Sequence, residues 1–186
     1  MRVVFIGPPG SGKGTQSALL SQRLGLTVIG TGVLFREARE LENSLGKKVK
    51  PYLDAGTLVP DEIVNDLIAE KLRGPDGAER FLLDGYPRTP VQASALDAVL
   101  ADLKLPLSAA VQFVIDDEIA VKRMLGRNRG DDSEETARQR LQLYHETCKP
   151  LVSHYRQQRL LHEVQADQPV EVLYALIASK LVSPRR

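Results

Sequence analysis

The residues best suited to chemistry lie in a glycine-rich segment near the start of the chain, GPPGSGKGT at residues 7–15. An apolar run at residues 3–6 precedes the segment, and a helical pattern follows it. A helix that opens on such a turn points its unpaired backbone N–H groups, and the positive end of its dipole, into the turn. The glycines let the backbone approach a phosphate closely, and Lys13 adds a positive charge. We therefore predict a phosphate-binding loop rather than a turn that binds nothing.

The spacing of this segment matches G-x-x-x-x-G-K, the signature of a P-loop between a strand and a helix. One position departs from the general motif. Gly14 stands where a Ser or Thr usually holds Mg²⁺, and Thr15 offers a hydroxyl group one place later.

Composition restricts the class of function. The chain has 186 residues, is 42% hydrophobic and carries a formal net charge of +1, which fits one compact domain with a real core. A charge balance near zero argues against general attraction to nucleic acid or to a membrane surface. We therefore expect small-molecule partners, and we expect the chain to work as a monomer.

The location of the protein is predicted from its cysteine usage and from its apolar segments. Cys148 is the only cysteine, which excludes an internal disulfide and a cysteine-rich zinc site, and suits a reducing compartment. No apolar stretch approaches the length of a membrane span, and the run at residues 3–6 is too short for the core of a signal peptide. We expect a cytoplasmic protein.

Five short apolar runs alternate with helical patterns along the chain. The runs are residues 3–6, 26–29, 81–83, 109–115 and 160–164. This alternation predicts an α/β fold with a doubly wound parallel sheet of five strands, flanked by helices. Ligands of such sheets bind beyond the carboxyl ends of the strands. Asp84 directly follows one of these runs, so we expect its carboxylate at that edge of the sheet.

Charged helical patterns without a long apolar run occupy residues 30–59 and predict a small helical excursion from the sheet. Two helices are expected there, at residues 34–45 and 47–54, with Gly46 as the break between them. A capping-box pattern at residues 132–135 predicts the start of a long helix, which Pro150 should bend. The other predicted helices are residues 15–24, 60–72, 90–103, 118–125 and 170–181.

Arginines beside turns form the second group of candidates. Arg36 lies early in the helical excursion, and Arg88 follows the end of a strand. Those around the turn between two later helices are Arg123, Arg127, Arg129 and Arg140. Each one alone is most simply a solvated surface charge. As a set they suit phosphoryl transfer between nucleotides, because the transition state spreads negative charge over oxygens that guanidinium groups bind bidentately.

Five separate motifs together resemble the adenylate kinases in order and spacing, over nearly the whole chain. They are residues 7–16, the Thr31-Gly32 pair with Leu34 and Arg36, GTLVP at residues 56–60, DGYPRT at residues 84–89 with Gln92, and RGDDSEET at residues 129–136 with Arg140. The resemblance implies an enzyme that converts ATP and AMP reversibly into two ADP. It also implies Mg²⁺ carried with the ATP, and no zinc.

The resemblance implies roles for individual residues as well. ATP would be bound by Gly10, Ser11, Gly12, Lys13, Gly14, Thr15, Arg123 and Arg127. AMP would be bound by Thr31, Arg36, Thr57, Leu58, Val59, Gly85, Arg88 and Gln92. The catalytic cations would be Lys13, Arg88, Arg123, Arg129 and Arg140. Asp84 would orient waters on Mg²⁺, which keeps most of its hydration shell and needs few direct protein ligands.

The division of the chain follows from the same resemblance. Residues 1–29, 60–125 and 134–186 would form the core, residues 30–59 an AMP-binding helical insertion, and residues 126–133 a very short lid loop, all within one globular unit. Gly126 and Gly130 would let this loop close over ATP, although a plain helix–helix turn is the alternative. Val33 stands where the family usually has Asp, so a polar contact near the AMP site is missing.

Other functions stay open at this point. A kinase of the same fold could act on UMP or CMP, and a P-loop GTPase switch could act through partners, although the chain lacks the Asn-Lys-x-Asp and Asp-x-x-Gly sequences of such a switch. A binding module without catalysis would have no use for the arginine set. Asp84 could cap a turn instead. His145 and Cys148 are spaced as half of a metal site, but the chain offers no second pair.

Overall fold

The computed structural model describes residues 1–41, 43–74, 79–127 and 133–182. Within these ranges each strand is followed by one or more helices, as the sequence predicts. Their bounds in chain order are β1 (Arg2–Ile6), α1 (Lys13–Leu24), β2 (Thr27–Gly30), α2 (Thr31–Glu40), α3 (Ser44–Asp54), α4 (Asp61–Arg73), β3 (Phe81–Asp84), α5 (Pro90–Asp102), β4 (Ala109–Val114), α6 (Asp117–Gly126), α7 (Glu134–Gln157), β5 (Leu161–Gln165) and α8 (Val170–Val182).

The strands form one sheet in the order β2, β3, β1, β4, β5, and every neighbouring pair is parallel. The predicted α/β fold with a five-stranded parallel sheet is confirmed. Because β1 lies in the middle, the chain leaves it at the centre of the carboxyl edge, where such sheets bind ligands. The register pairs Phe5 of β1 with Asp84 of β3 and so brings this carboxylate beside the start of the glycine-rich loop.

The central strand is buried on both faces, which fixes the starting point of the loop that follows it. Val3 and Phe5 pack towards α1 and α8, whereas Val4 and Ile6 pack on the opposite side with α4, α5 and α7. Burial of each such side chain contributes roughly 1.5–3 kcal/mol relative to exposure. Because both of its faces are buried, the sequence of this strand is a continuous apolar run.

The prediction of a helix break at Gly46 is wrong. Gly46 lies inside α3, because α2 ends at Glu40 and α3 begins at Ser44. The side chain of Asn43 caps α3 by accepting a hydrogen bond from the Gly46 backbone N–H at 2.8 Å. A Cβ at Gly46 would lie 1.9 Å from the carbonyl oxygen of Ala38, so this glycine allows α2 and α3 to cross closely. The residue serves helix packing, which a local pattern does not distinguish from a helix stop.

The long helix α7 differs slightly from its predicted start. Ser133 is the capping residue, and its side chain accepts a hydrogen bond from the Thr136 backbone N–H at 3.1 Å. Asp132, the first residue of the predicted capping box, lies outside the described residues. Pro150 lies inside α7, which continues to Gln157.

Most of the predicted lid lies outside the described residues. Residues 128–132 lie outside the described ranges, so the lid stays a prediction.

Among the helices of the described ranges, none is both long and apolar enough to cross a membrane.

Candidate active site

A cleft of about 950 Å³ opens at the carboxyl edge of the sheet. Its walls come from the glycine-rich loop after β1, the segment after β3, α2, the segment before α4 and one face of α7. The lining includes every predicted site residue within the described ranges: Gly10, Ser11, Gly12, Lys13, Gly14, Thr15, Thr31, Arg36, Thr57, Leu58, Val59, Asp84, Gly85, Arg88, Gln92, Arg123, Arg127 and Arg140. Arg129 lies outside those ranges.

The shape of the glycine-rich loop depends on two glycines with positive φ. Gly10 has φ of 83°, and a Cβ there would lie 2.3 Å from the carbonyl oxygen of Ala120 in α6. Gly12 has φ of 92° and stands directly before α1 without a side-chain cap. The backbone N–H groups of the first turn of α1 therefore stay available to an anion in the loop.

Lys13 occupies the first turn of α1 and folds back over the loop. Its Nζ donates to the carbonyl oxygens of Gly7 at 2.7 Å and Pro8 at 2.8 Å, and lies 3.4 Å from Oγ of Ser11. These contacts hold the ammonium group at the mouth of the loop. A phosphate bound there would meet a lysine that is already in position.

The electrostatics of the cleft favour an anion. Loss of solvation lowers the pKa of Lys13 to about 8; the charge of Asp84 opposes this shift, and Arg88 and Arg127 reinforce it. The side chain of Arg88 still reaches solvent through the cleft, yet loss of solvation lowers its pKa. The charge of Asp84 opposes this shift, and the charge of Arg140 reinforces it. The charges of neighbouring cations thus lower the pKa values of Lys13 and Arg88, and a bound phosphate would relieve this repulsion.

A second group of donors meets at the loop after β3. The carbonyl oxygen of Gly85 accepts a hydrogen bond from Thr31 Oγ1 at 2.9 Å and one from Arg88 Nε at 2.8 Å. Gly85 has φ of 82°, and a Cβ there would lie 2.9 Å from Thr31 Oγ1. The glycine therefore lets the first turn of α2 approach the loop that carries Arg88.

The remaining arginines reach the cleft from three helices. Arg36 extends from α2, and among the described residues no carboxylate pairs with it. Arg123 of α6 donates to the carbonyl oxygen of Ala166 at 2.9 Å, which ties α6 to the segment after β5. Arg127, directly after α6, and Arg140 of α7 complete the set; the charge of Arg127 acts on Lys13, and that of Arg140 acts on Arg88. The structure thus gathers into one cavity arginines that lie far apart in the sequence.

Gln92 is buried at the start of α5 with only 2% of its surface exposed. Its Oε1 accepts a hydrogen bond from the Arg88 backbone N–H at 2.7 Å, and its Nε2 donates to Asp61 Oδ1 at 2.8 Å. The amide therefore has a fixed orientation, while the side chain remains part of the cleft lining.

Asp84 is the one carboxylate residue among the described residues that line the cleft, and it is the candidate for contact with a metal. A Cβ at Gly14 would lie 3.8 Å from Asp84 Oδ2, so the carboxylate faces the start of α1. The described residues contain no group of three or more side chains that could hold a metal ion by themselves. One carboxylate and the hydroxyl of Thr15 fit a Mg²⁺ that stays largely hydrated and is carried by nucleotide phosphates.

Part of the lining was missed by the sequence analysis. Tyr144, Thr147 and Cys148 share one face of α7 with Arg140, and helical spacing from that arginine would have found them. Arg39 also lies in the lining, with NH1 3.6 Å from Asp54 Oδ1. No motif pointed to it.

His145 and Cys148 do not point to a metal site in the part of the chain that the structure describes. His145 Nε2 lies 2.9 Å from Asp117 on the surface. Cys148 is buried, and loss of solvation raises the pKa of its thiol.

Comparison with known proteins gives consistent matches. The family model for adenylate kinase matches residues 5–160 of the chain. The adenylate kinase of Rhodococcus erythropolis is 47% identical over 156 residues, covering 84% of this chain and 86% of that protein. The adenylate kinase of Mycolicibacterium smegmatis is 43% identical over 181 residues, covering 97% and 99%. The adenylate kinase of Symbiobacterium thermophilum is 37% identical over 216 residues, covering 100% of both chains.

Proposed function

The chain belongs to the adenylate kinase family, and we propose that it transfers a phosphoryl group reversibly between ATP and AMP to give two ADP. The observation that carries the proposal is that one cleft brings together two groups of residues suited to bind phosphate. The first is the glycine-rich loop with Lys13. The second comprises Thr31, Arg36 and Arg88. A hydrolase or a switch needs only the first group, whereas transfer between two nucleotides needs both.

The donor side of the cleft would bind ATP. The backbone N–H groups at the start of α1 and the ammonium of Lys13 would hold the β- and γ-phosphates. Arg123 and Arg127 would contact the same nucleotide, and Gly10 and Gly12 would allow the loop to wrap around its phosphates. Because Lys13 is held by three oxygens before the ligand arrives, little side-chain entropy remains to be lost on binding.

The acceptor side would bind AMP. Arg36 and Arg88 would hold its phosphate, and Thr31 would position the loop that carries Arg88. The base would lie against Thr57, Leu58, Val59 and Gln92. Val33 is 49% exposed in the cleft lining and supplies no polar group there, so this side depends more strongly on the arginines and on Gln92.

Transfer would proceed by in-line displacement. An ionised oxygen of the AMP phosphate forms a bond to the γ-phosphorus, and the bond from that phosphorus to the bridging oxygen of ATP breaks. The electron pair of the broken bond stays on the β-phosphate of the departing ADP, and no proton has to move. Lys13, Arg88, Arg123 and Arg140, with Arg129 from the undescribed segment, would stabilise the charge that spreads over the transferring oxygens.

Mg²⁺ would be carried with ATP. When bound, it would neutralise part of the phosphate charge. Asp84 would hold it through water, and the position of this carboxylate beside the start of α1 supports that role. No zinc is proposed, because Cys148 is the only cysteine and is buried.

The division of labour within the chain is also a proposal. Residues 30–59 would bind the acceptor, residues 126–133 would form a short metal-free lid, and the remainder would form the core. The observed α2 and α3 give the first of these units its own packed helices. That the chain works as a monomer in the cytoplasm stays a prediction.

The proposal is tested by ADP formation from ATP with AMP, UMP, CMP or GMP as acceptor. We expect AMP to be preferred by about a hundredfold or more, because polar groups built to pair with one base reject others. Comparable turnover with UMP or CMP would move the assignment to pyrimidine nucleotide kinases. Steady release of inorganic phosphate without an acceptor would favour a hydrolase or a switch.

A further inference from the structure

The carboxylate of Asp61 lies outside the cleft lining but contacts a residue within it. Asp61 is the first residue of α4 and is half-buried. Its Oδ1 accepts a hydrogen bond from Gln92 Nε2 at 2.8 Å, and its Oδ2 accepts one from Thr89 Oγ1 at 2.9 Å. Thr89 Oγ1 in turn accepts the Gln92 backbone N–H at 3.1 Å and caps α5. Both oxygens of Asp61 therefore accept hydrogen bonds from side chains at the start of α5.

The two partners of the Gln92 side chain determine which way its amide points. The backbone N–H of Arg88 can only donate, and an ionised carboxylate can only accept. Oε1 must therefore face Arg88, and Nε2 must face Asp61. A flipped amide would place Oε1 against the carboxylate and Nε2 against the N–H group. Both contacts would be repulsive, and a side chain that is 2% exposed has little water to compensate for them.

A fixed amide can distinguish adenine from guanine. In this orientation Nε2 keeps one free proton and Oε1 keeps one free lone pair. The edge of adenine offers an acceptor at N1 and a donor at N6, whereas guanine offers a donor at N1 and an acceptor at O6. The two purines therefore present opposite patterns. An amide that suits adenine must flip to suit guanine.

We propose that Asp61 is a positioning residue for the acceptor base, which holds the Gln92 amide in the orientation that pairs with adenine and disfavours guanine. This inference rests on the proposed use of AMP as acceptor. It assigns base selectivity to a carboxylate at the start of α4 that does not itself line the cleft.

The decisive variant is Asp61→Asn. The new amide is nearly isosteric, but it can turn to donate to Gln92. This removes one of the two repulsive contacts that oppose a flip and leaves the one at the Arg88 backbone N–H. We expect the ratio of kcat/KM for AMP to that for GMP to fall about tenfold or more. KM for AMP should rise while kcat with saturating AMP stays within about threefold of the parent.

The matched control is Glu62→Gln. Glu62 is an exposed carboxylate in the same first turn of α4 and has no hydrogen bond with Gln92. It shares with Asp61 the favourable position near the positive end of the helix dipole. If the dipole or the net charge were responsible, both variants would change the AMP-to-GMP ratio alike. We expect Glu62→Gln to leave the ratio unchanged.

The outcomes separate the inference from the proposed function. If the unmodified protein does not phosphorylate AMP, the proposed function fails. If it does, and Asp61→Asn keeps the parental AMP-to-GMP ratio, the inference is overturned. An equal loss of kcat with every acceptor would also overturn it, because Asp61 would then support the fold rather than the reading of the base.

A measurement on the unmodified protein covers the case in which Asp61→Asn does not fold. In protein labelled with ¹⁵N-glutamine, the side-chain signal of Gln92 is identified by its loss in Gln92→Glu. We expect its amide protons to exchange with solvent much more slowly than those of surface glutamines. Exchange at the rate of a surface glutamine would show that the amide is not held, and would overturn the inference.

Discussion

Thr31 and Arg88 donate to the same acceptor, the carbonyl oxygen of Gly85, at 2.9 and 2.8 Å. The threonine begins α2, and the arginine follows β3, so one oxygen atom joins the helical excursion to the carboxyl edge of the sheet. Because Arg88 uses Nε for this bond, its two terminal nitrogens are left for a ligand. The proposed phosphate contact and the anchoring of the loop therefore involve different atoms of one guanidinium group.

Arg88→Lys is expected to lower kcat by about a hundredfold or more, with a smaller effect on KM for ATP. A lysine has a single nitrogen and cannot contact Gly85 and a phosphate oxygen in the geometry of the guanidinium group. Steady-state kinetics with both nucleotides varied would measure the effect. Arg73→Lys is the control, since Arg73 lies on the surface and pairs with Asp102 at 3.3 Å. Normal turnover in Arg88→Lys would remove this residue from the mechanism.

Binding of ATP should take up a proton above pH 8. The free protein holds the pKa of Lys13 at about 8, so above that pH its amine is mostly neutral. Phosphate oxygens beside the amine favour its charged form and raise this pKa. Binding above pH 8 therefore protonates Lys13, and the affinity for ATP falls as the pH rises above the pKa of the free state. Near pH 6.5 Lys13 is already charged, and no uptake at this group is expected.

Calorimetry in two buffers of different ionisation enthalpy would measure the uptake at about pH 6.5 and about pH 8.5. The control is Lys13→Met, in which the uptake at the higher pH should disappear and kcat should fall about a hundredfold or more. If the variant takes up as many protons as the parent, another group is responsible.

The two loop glycines allow a direct comparison. Both have positive φ, so alanine at either position should cost about 1–2 kcal/mol of unfolding free energy for the left-handed conformation. A Cβ at Gly12 would have no other atom within 4 Å, whereas a Cβ at Gly10 would lie 2.3 Å from the Ala120 carbonyl oxygen. We expect Gly10→Ala to lose clearly more stability in urea unfolding and to bind ATP more weakly. Equal losses would contradict the observed packing of the loop on α6.

Most of the sheet could be predicted because strands buried on both faces read as short apolar runs, as residues 3–6 do. The glycine-rich loop was also found, since its chemistry is local in sequence. The partner of Gln92 was not found, because Asp61 lies 31 positions away and no spacing rule joins the first turns of α4 and α5. Gly46 was misjudged for a related reason. Its close neighbour Ala38 belongs to another helix, which the pattern around the glycine does not reveal.

Gly46→Ala should weaken the acceptor side selectively. A Cβ 1.9 Å from the Ala38 carbonyl oxygen would push α2 and α3 apart, and overpacking of this kind costs about 1–3 kcal/mol. Because α2 carries Thr31 and Arg36, we expect KM for AMP to rise several-fold while KM for ATP changes little. The control is Lys48→Ala, an exposed position on the same helix. An equal rise in both KM values would argue against a separate acceptor unit.

Reversible transfer between two adenine nucleotides in one cleft can be measured by supplying ADP alone with Mg²⁺ and following the products by ³¹P NMR. Reversal of the proposed reaction requires one ADP in each phosphate-binding group, with Lys13 and Arg88 on the two sides of the moving phosphoryl group. We expect ATP and AMP to accumulate in equal amounts until equilibrium, without inorganic phosphate. Persistence of ADP, or release of inorganic phosphate in place of ATP, would contradict it.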